Sequence, residues 1–196
     1  MRYDKGHKEA TRRKILEIAT RQFREGGVAA VGLAGLMTDA GLTNGAFYGH
    51  FDSKEVLVRE AIDVALEDSR CKIEAAVSSG AGLPGFVRDY LSPRHRDNPG
   101  KGCITAALVA EVARHPAGTR TAFTTKVGEV LSLIGRHLPS GSPDERGRTA
   151  MTVYTLLVGT LQIARAVNDK QLSDAMLANG TDTVLRLVSA APGHAA

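Results

Sequence analysis

Apolar residues in this chain recur at three- and four-residue intervals from one end to the other, and runs that alternate apolar with polar residues are nearly absent. That period belongs to amphipathic helices, each burying one stripe, and it leaves little material for a sheet. The spacing predicts an all-α fold of roughly nine helices. They read at residues 8–25, 33–40, 44–50, 54–77, 83–91, 103–114, 117–138, 144–168 and 171–190. The stretch 92–100, with Pro93, Asn98, Pro99 and Gly100, carries too many breakers to be helical. Pro139 to Pro143 break the pattern again, and the tail 192–196 reads as frayed.

The first half of the chain carries the sharper local signals. In the first helix Ile15, Ile18, Ala19, Gln22 and Phe23 line one face, and Gly26-Gly27 stop it. The next, short helix buries Leu36 and Met37. Gly41 permits the positive φ of a tight turn, and Leu42 plugs inward. Thr43 is a candidate cap for the second short helix. Asp52, with Glu55 three residues later, matches a capping box opening the long helix.

Bulk properties narrow the function. With 196 residues, 43% hydrophobic and 23% charged, the chain can bury a core without disulfides or metals. It has no apolar run long enough to span a bilayer, so no membrane partner is expected. Its first residues, MRYDKGHKEATRRK, lack the apolar core and cleavage site of a signal peptide, so a cytoplasmic location is expected. Cys71 and Cys103 belong to no ligand pattern, and His7, His50, His95, His115, His137 and His194 do not pair with carboxylates at ligand spacings. Nucleotide-binding and hydrolase motifs are absent too. The expectation is therefore no enzyme, no cofactor and no metal. The net charge of +4 is concentrated at the start, where eight basic residues face three acidic ones before Glu25. Such a surface attracts DNA or anionic lipid, or is simply a solvated helix face.

Two short helices around Gly41, with small residues on the exposed side of the second, have the spacing of a helix-turn-helix. In that motif the second helix enters the major groove. Gly45, Ala46 and Gly49 would let its backbone approach the bases. Asn44 could bond a base edge or a phosphate, and the Ala46 methyl could meet a thymine methyl. Thr43, Tyr48, His50 and Lys54 offer donors to phosphate. Each has a plainer alternative: a half-buried aromatic for Tyr48, a capping or core histidine for His50, a solvated helix start for Lys54.

The stretch AGLTNGAFYGHFDSKEVL, residues 40–57, resembles the TetR family of bacterial regulators. It echoes the family's Ala-Gly-Val-Ser, small residue, aromatic pair, His-Phe, Ser-Lys-Glu and Leu. The likeness covers about residues 8–60 and includes the upstream helix ending in a glycine pair. It implies a three-helix DNA-binding domain over residues 1–53 and a helical ligand-binding and dimerisation domain over 54–196. It also implies a homodimer formed through the last two helices and a repressor that leaves its palindromic double-stranded operator when a small-molecule inducer binds. Carried over by position, it makes Thr43, Tyr48, His50 and Lys54 phosphate contacts, and puts Asn44, Gly45 and Ala46 at base edges. Gly32 and Gly35 depart from the pattern, where a capping Ser or Thr and an acidic residue are usual, and Asn44 replaces a frequent Lys.

The remaining two-thirds says less. The helices 144–168 and 171–190 carry apolar residues on more than one face, Leu161 and Leu185 among them, as helices that also meet a partner would. Candidate ligand-pocket walls are Phe86, Tyr90, Cys103, Ala107, Phe123, Val127 and Tyr154, whose character suits an apolar or aromatic inducer or plain core packing. Cys103 follows Lys101 near a predicted helix start, both of which lower a thiol pKa. A redox- or electrophile-sensing repressor acting through Cys103 is the alternative.

Overall fold

The computed structural model describes residues 5–189. Arg2, Asp4 and the tail 192–196 lie outside them. Helices α1 (Lys5–Gly26), α2 (Leu33–Asp39), α3 (Lys54–Ser78), α4 (Gly82–Tyr90), α5 (Pro93–Arg96), α6 (Ile104–Val112), α7 (Ala117–Arg136), α8 (Pro143–Ala166) and α9 (Lys170–Ser189) follow in chain order. Two 3-10 turns, Asn44–Gly49 and Pro99–Lys101, interrupt them, and no strand occurs among the described residues. The all-helical expectation holds.

Two compact units form. The first takes residues through Ala65 together with Pro99–Thr124; the second takes Leu66–Asn98 and residues from Thr125 on.

In the first unit, Ile15, Ala19 and Phe23 recur every four residues on α1 and are wholly buried. They share the core with Leu36, Met37, Phe47, Phe51, Leu57 and Ile62. Gly41 ends α2 at φ 72°, with its N–H on the Thr38 carbonyl (2.9 Å) and that of Leu42 on Met37 (2.8 Å). That paired closure reverses the chain within two residues and needs the left-handed conformation glycine adopts freely. Leu42 itself is only half-buried. Residues of α6 belong here as well. Glu111 accepts the Val28 N–H at 2.9 Å, and Arg24 donates to the Gly100 carbonyl at 3.3 Å.

In the second unit α8 and α9 pack closely. A Cβ on Gly180 would sit 2.6 Å from the Thr160 methyl, so glycine is required for the two backbones to approach. Leu157 and Leu161 of α8 and Leu177 and Val184 of α9 are buried in this unit's core. Ser142 and Glu145 cap α8 reciprocally, with Pro143 at its first position.

Several local expectations change. The stretch 92–100 is not wholly irregular: Pro93 occupies the first turn of α5, where its missing N–H costs nothing, and the Ser92 hydroxyl accepts the His95 N–H at 3.2 Å. Tertiary bonds then fix the short helix. Arg96, 8% exposed, bonds Ser173 (2.8 Å) and Asp174 (2.5 Å), and Arg165 donates to the His95 and Arg96 carbonyls. The segment 44–50 forms a 3-10 turn instead of an α-helix, and the Thr43 side chain makes no capping bond to it. Ser53, not Asp52, caps α3 by accepting the Val56 N–H at 3.2 Å.

Candidate nucleic-acid interface

Six residues with three-residue hydrogen bonding make a weak helix, so the turn Asn44–Gly49 must be held from beneath. Phe47 is fully buried and stacks on Phe51, with ring centroids 5.7 Å apart. Arg12 of α1 fastens the far end. Its Nε donates to the His50 carbonyl at 3.2 Å, its guanidinium lies 4.5 Å from the Phe51 ring centre, and its Nη2 reaches both Glu60 oxygens at 2.5–2.6 Å. One side chain thus joins α1, the end of the turn and α3. The sequence pattern does not single out Arg12, whose partners lie 38 and 48 residues away.

With its anchors turned inward, the turn presents the other residues outward. Thr43, Asn44, Gly45, Tyr48 and Gly49 are exposed and Ala46 is half-buried. Tyr48 is 66% exposed, which rules out the plainer reading of a half-buried aromatic, and its ring meets Phe47 edge-on at 5.3 Å. A Cβ at Gly45 or Gly49 would touch nothing within 4 Å, and neither has a positive φ. The chain's own packing therefore does not ask for glycine at either place.

His50 closes the turn, half-buried, with Nδ1 enclosed and unpartnered. Burial first, then the charges of Lys8, Arg12 and His7, lower its pKa below the ordinary histidine value. The neutral ring, with no acceptor beside Nδ1, favours a proton on Nε2. Lys54 does more than solvate a helix start. Its ammonium donates to the carbonyls of Val28 (2.7 Å) and Val31 (2.6 Å), which leaves one of three N–H bonds for any other partner.

At the start of α3, Glu55 does not close a capping box. Its carboxylate accepts from Thr119 at 2.6 Å and from His115 Nδ1 at 3.0 Å. His115 therefore has the carboxylate partner that sequence spacing did not suggest, 60 residues away. Among the described residues no cluster of three or more His, Cys, Asp or Glu forms a metal-binding group, and no helix is long and apolar enough to cross a membrane.

The residues singled out as pocket walls divide between the units. Cys103, Ala107 and Phe123 lie in the first; Phe86, Tyr90, Val127 and Tyr154 lie in the second. Phe86 and Tyr90 are brought together, ring centres 5.6 Å apart, and Tyr90 meets His95 edge-on at 4.8 Å. His95 bonds the Tyr90 carbonyl through Nδ1 at 2.7 Å, and burial lowers its pKa. Tyr90 and Cys103 are buried; the other five are half-buried.

On α8 and α9, Leu161 is wholly buried in its own chain and Leu185 half-buried, so Leu161 is not an outward-facing residue. The outward apolar residues are Met151, Ile163 and Leu172. Between the two helices runs a groove of about 400 Å³ lined by Leu156, Gly159, Ile163, Met176 and Gly180.

Residues 15–61 match the family described as bacterial regulatory proteins, tetR family. The regulator LmrA of Bacillus subtilis is 28% identical over 154 residues, 76% of this chain and 82% of that one. The transcriptional repressor KstR2 of Rhodococcus jostii is 36% identical over 77 residues, 39% of this chain and 38% of that repressor. The crystal structure of the reduced form of Escherichia coli NemR superposes with a TM-score of 0.78 at 23% identity, covering 94% of this chain and all of that one. NemR is itself described as a transcriptional repressor.

Proposed function

This chain belongs to the TetR family of DNA-binding transcriptional regulators, and from that premise we propose that it is a homodimeric repressor released from a palindromic operator by a small apolar or aromatic inducer. The observation that carries the reading is the outward face of the turn Asn44–Gly49, with an exposed Tyr48 beside two glycines that no internal contact requires. In this reading residues 1–53 hold DNA. Asn44, Gly45 and Ala46 meet base edges, and Thr43, Tyr48 and His50 donate to phosphates. Lys54 contributes chiefly by fixing the loop after α1, with its third N–H left for phosphate. Residues 54–196 serve ligand binding and dimerisation.

The partner in the dimer is a second copy seated on the α8–α9 groove. Outward Ile163 and half-buried Met176, beside Gly159, offer the apolar and close-approach surface such a pairing needs. The dimer would space two recognition turns about one DNA turn, ~34–36 Å, apart. An inducer at Phe86, Tyr90, Val127 and Tyr154 that prefers another spacing shifts the population off DNA, by no more than its differential affinity. Footprinting on the DNA flanking the gene tests this at fixed salt. One protected palindrome is expected; uniform, purely salt-governed binding to any sequence overturns it.

A second reading, redox or electrophile sensing through Cys103, draws support from the likeness to NemR, solved in a reduced form. Cys103 is only 5% exposed, which weighs against attack by a bulky electrophile on the folded chain.

A further inference from the structure

A phosphate bound at the end of the turn Asn44–Gly49 needs a positive charge beside it, and of the residues already assigned only Lys54 carries one that no carboxylate offsets. His50 is kept neutral by burial and by its cationic neighbours. Arg12 is committed to Glu60 by two short bonds, which offset its charge. Lys54 keeps its charge, but two of its three N–H bonds hold it on the Val28 and Val31 carbonyls of the loop after α1. Tyr48 and Thr43 are uncharged.

Lys8 meets the requirement. It lies one helical turn before Arg12, so the two share a face of α1. Arg12 bonds the His50 carbonyl directly, so that face looks onto the end of the turn. Lys8 is exposed, and its side chain has no hydrogen-bond or ion-pair partner among the described residues. Its charge is also felt at His50, ahead of that of Arg12 itself. We infer that Lys8 binds the DNA phosphate that meets His50, as an operator contact supplied by α1, with Arg12 as the residue that positions the two sides of the site. Lys8 would hold the phosphate as a point charge, while the neutral imidazole donates one directed bond.

The inference rests on the repressor reading above, and one experiment separates their failures. Anisotropy of a labelled operator fragment, taken from the footprint, is recorded with the full chain over a series of salt concentrations. Each phosphate that is no longer neutralised lowers the slope of log affinity against log salt by about 0.9, hence by about 1.8 for a dimer without Lys8 in either half. Lys8→Gln should show that drop and weaken binding equally at matched and mismatched operators, while Lys8→Arg retains the parent slope. Arg21→Gln removes an equal charge from an exposed position about 20 Å further along α1, beyond a screening length of about 8 Å. It should leave the slope near that of the parent. Equal slope changes for Lys8→Gln and Arg21→Gln, or no change for Lys8→Gln in a protein that footprints normally, overturn the inference alone. A parent protein that protects no sequence overturns both.

Discussion

Replacing Tyr48 by Phe removes one oxygen atom and nothing else that the fold uses. The ring is 66% exposed, and its edge contact with Phe47 at 5.3 Å survives the change. Stability should therefore stay within about 0.5 kcal/mol of the parent, the range of neutral surface changes. Operator binding should not be spared. A hydroxyl donating to a phosphate is a charge-assisted bond, with a net contribution of about 1.5 kcal/mol at the lower end. A two-fold dimer loses two such bonds, about 3 kcal/mol, which is roughly a hundredfold in affinity at 1.4 kcal/mol per tenfold. Anisotropy with the footprinted fragment at one fixed salt concentration reads the affinity, and thermal unfolding by circular dichroism reads the stability. Operator affinity within twofold of the parent, at an unchanged melting temperature, would refute the assignment of Tyr48 to phosphate. A large fall in melting temperature would refute the premise that the fold does not use the hydroxyl.

Gly35→Ala places a methyl in open space inside α2, where glycine costs about 0.5–1 kcal/mol, so the melting temperature should rise by a few degrees; no rise in a calorimetric scan contradicts this. Ile163→Glu should give a folded monomer by light scattering with helicity retained, whereas Leu161→Glu should unfold the chain because it buries an unpaired charge in the α8–α9 core; a stable Ile163→Glu dimer puts the interface elsewhere. An aromatic disulfide reagent should modify exposed Cys71 quickly in the native protein and buried Cys103 only on unfolding; two fast equivalents per chain would revive the sensing alternative.

What was legible in the sequence follows from the range of the forces involved. The long helices could be read because burial of Ile15, Ala19 and Phe23, or of Leu157 and Leu161, leaves a periodic mark within one segment. The sharp turn could be read because Gly41 needs no distant partner. α5 could not. Its four residues have no periodicity, and what holds it is Arg96 reaching Ser173 and Asp174, 77 and 78 residues on. The same distance hid the pairing of Glu55 with His115 and the commitment of Lys54 to two carbonyls. The proposed DNA face was visible because its residues are nearly contiguous. The proposed ligand walls could be named only as candidates, because single residues drawn from separate helices look like core.

Glycine in a helix or turn is destabilising unless something requires it. At Gly41 and Gly180 the chain's own geometry does, through a positive φ in one case and a 2.6 Å approach to Thr160 in the other. Gly128, Gly147 and Gly159, spread along the long helices α7 and α8, are also unconstrained, and at Gly32, Gly35, Gly45 and Gly49 nothing within the chain requires glycine either. These last four lie in or beside the two short elements of the helix-turn-helix. A sequence that gives up local stability repeatedly in one place, while Phe47, Phe51 and Arg12 hold that place from behind, separates two tasks by side. The inner side carries the folding energy. The outer side is left with few packing duties, so its residues can differ between regulators without unfolding the turn. On the proposed reading, Asn44, Gly45 and Ala46 are where a change of operator preference would be sought, and Arg12 is where the same search would return only weakened binding to every sequence.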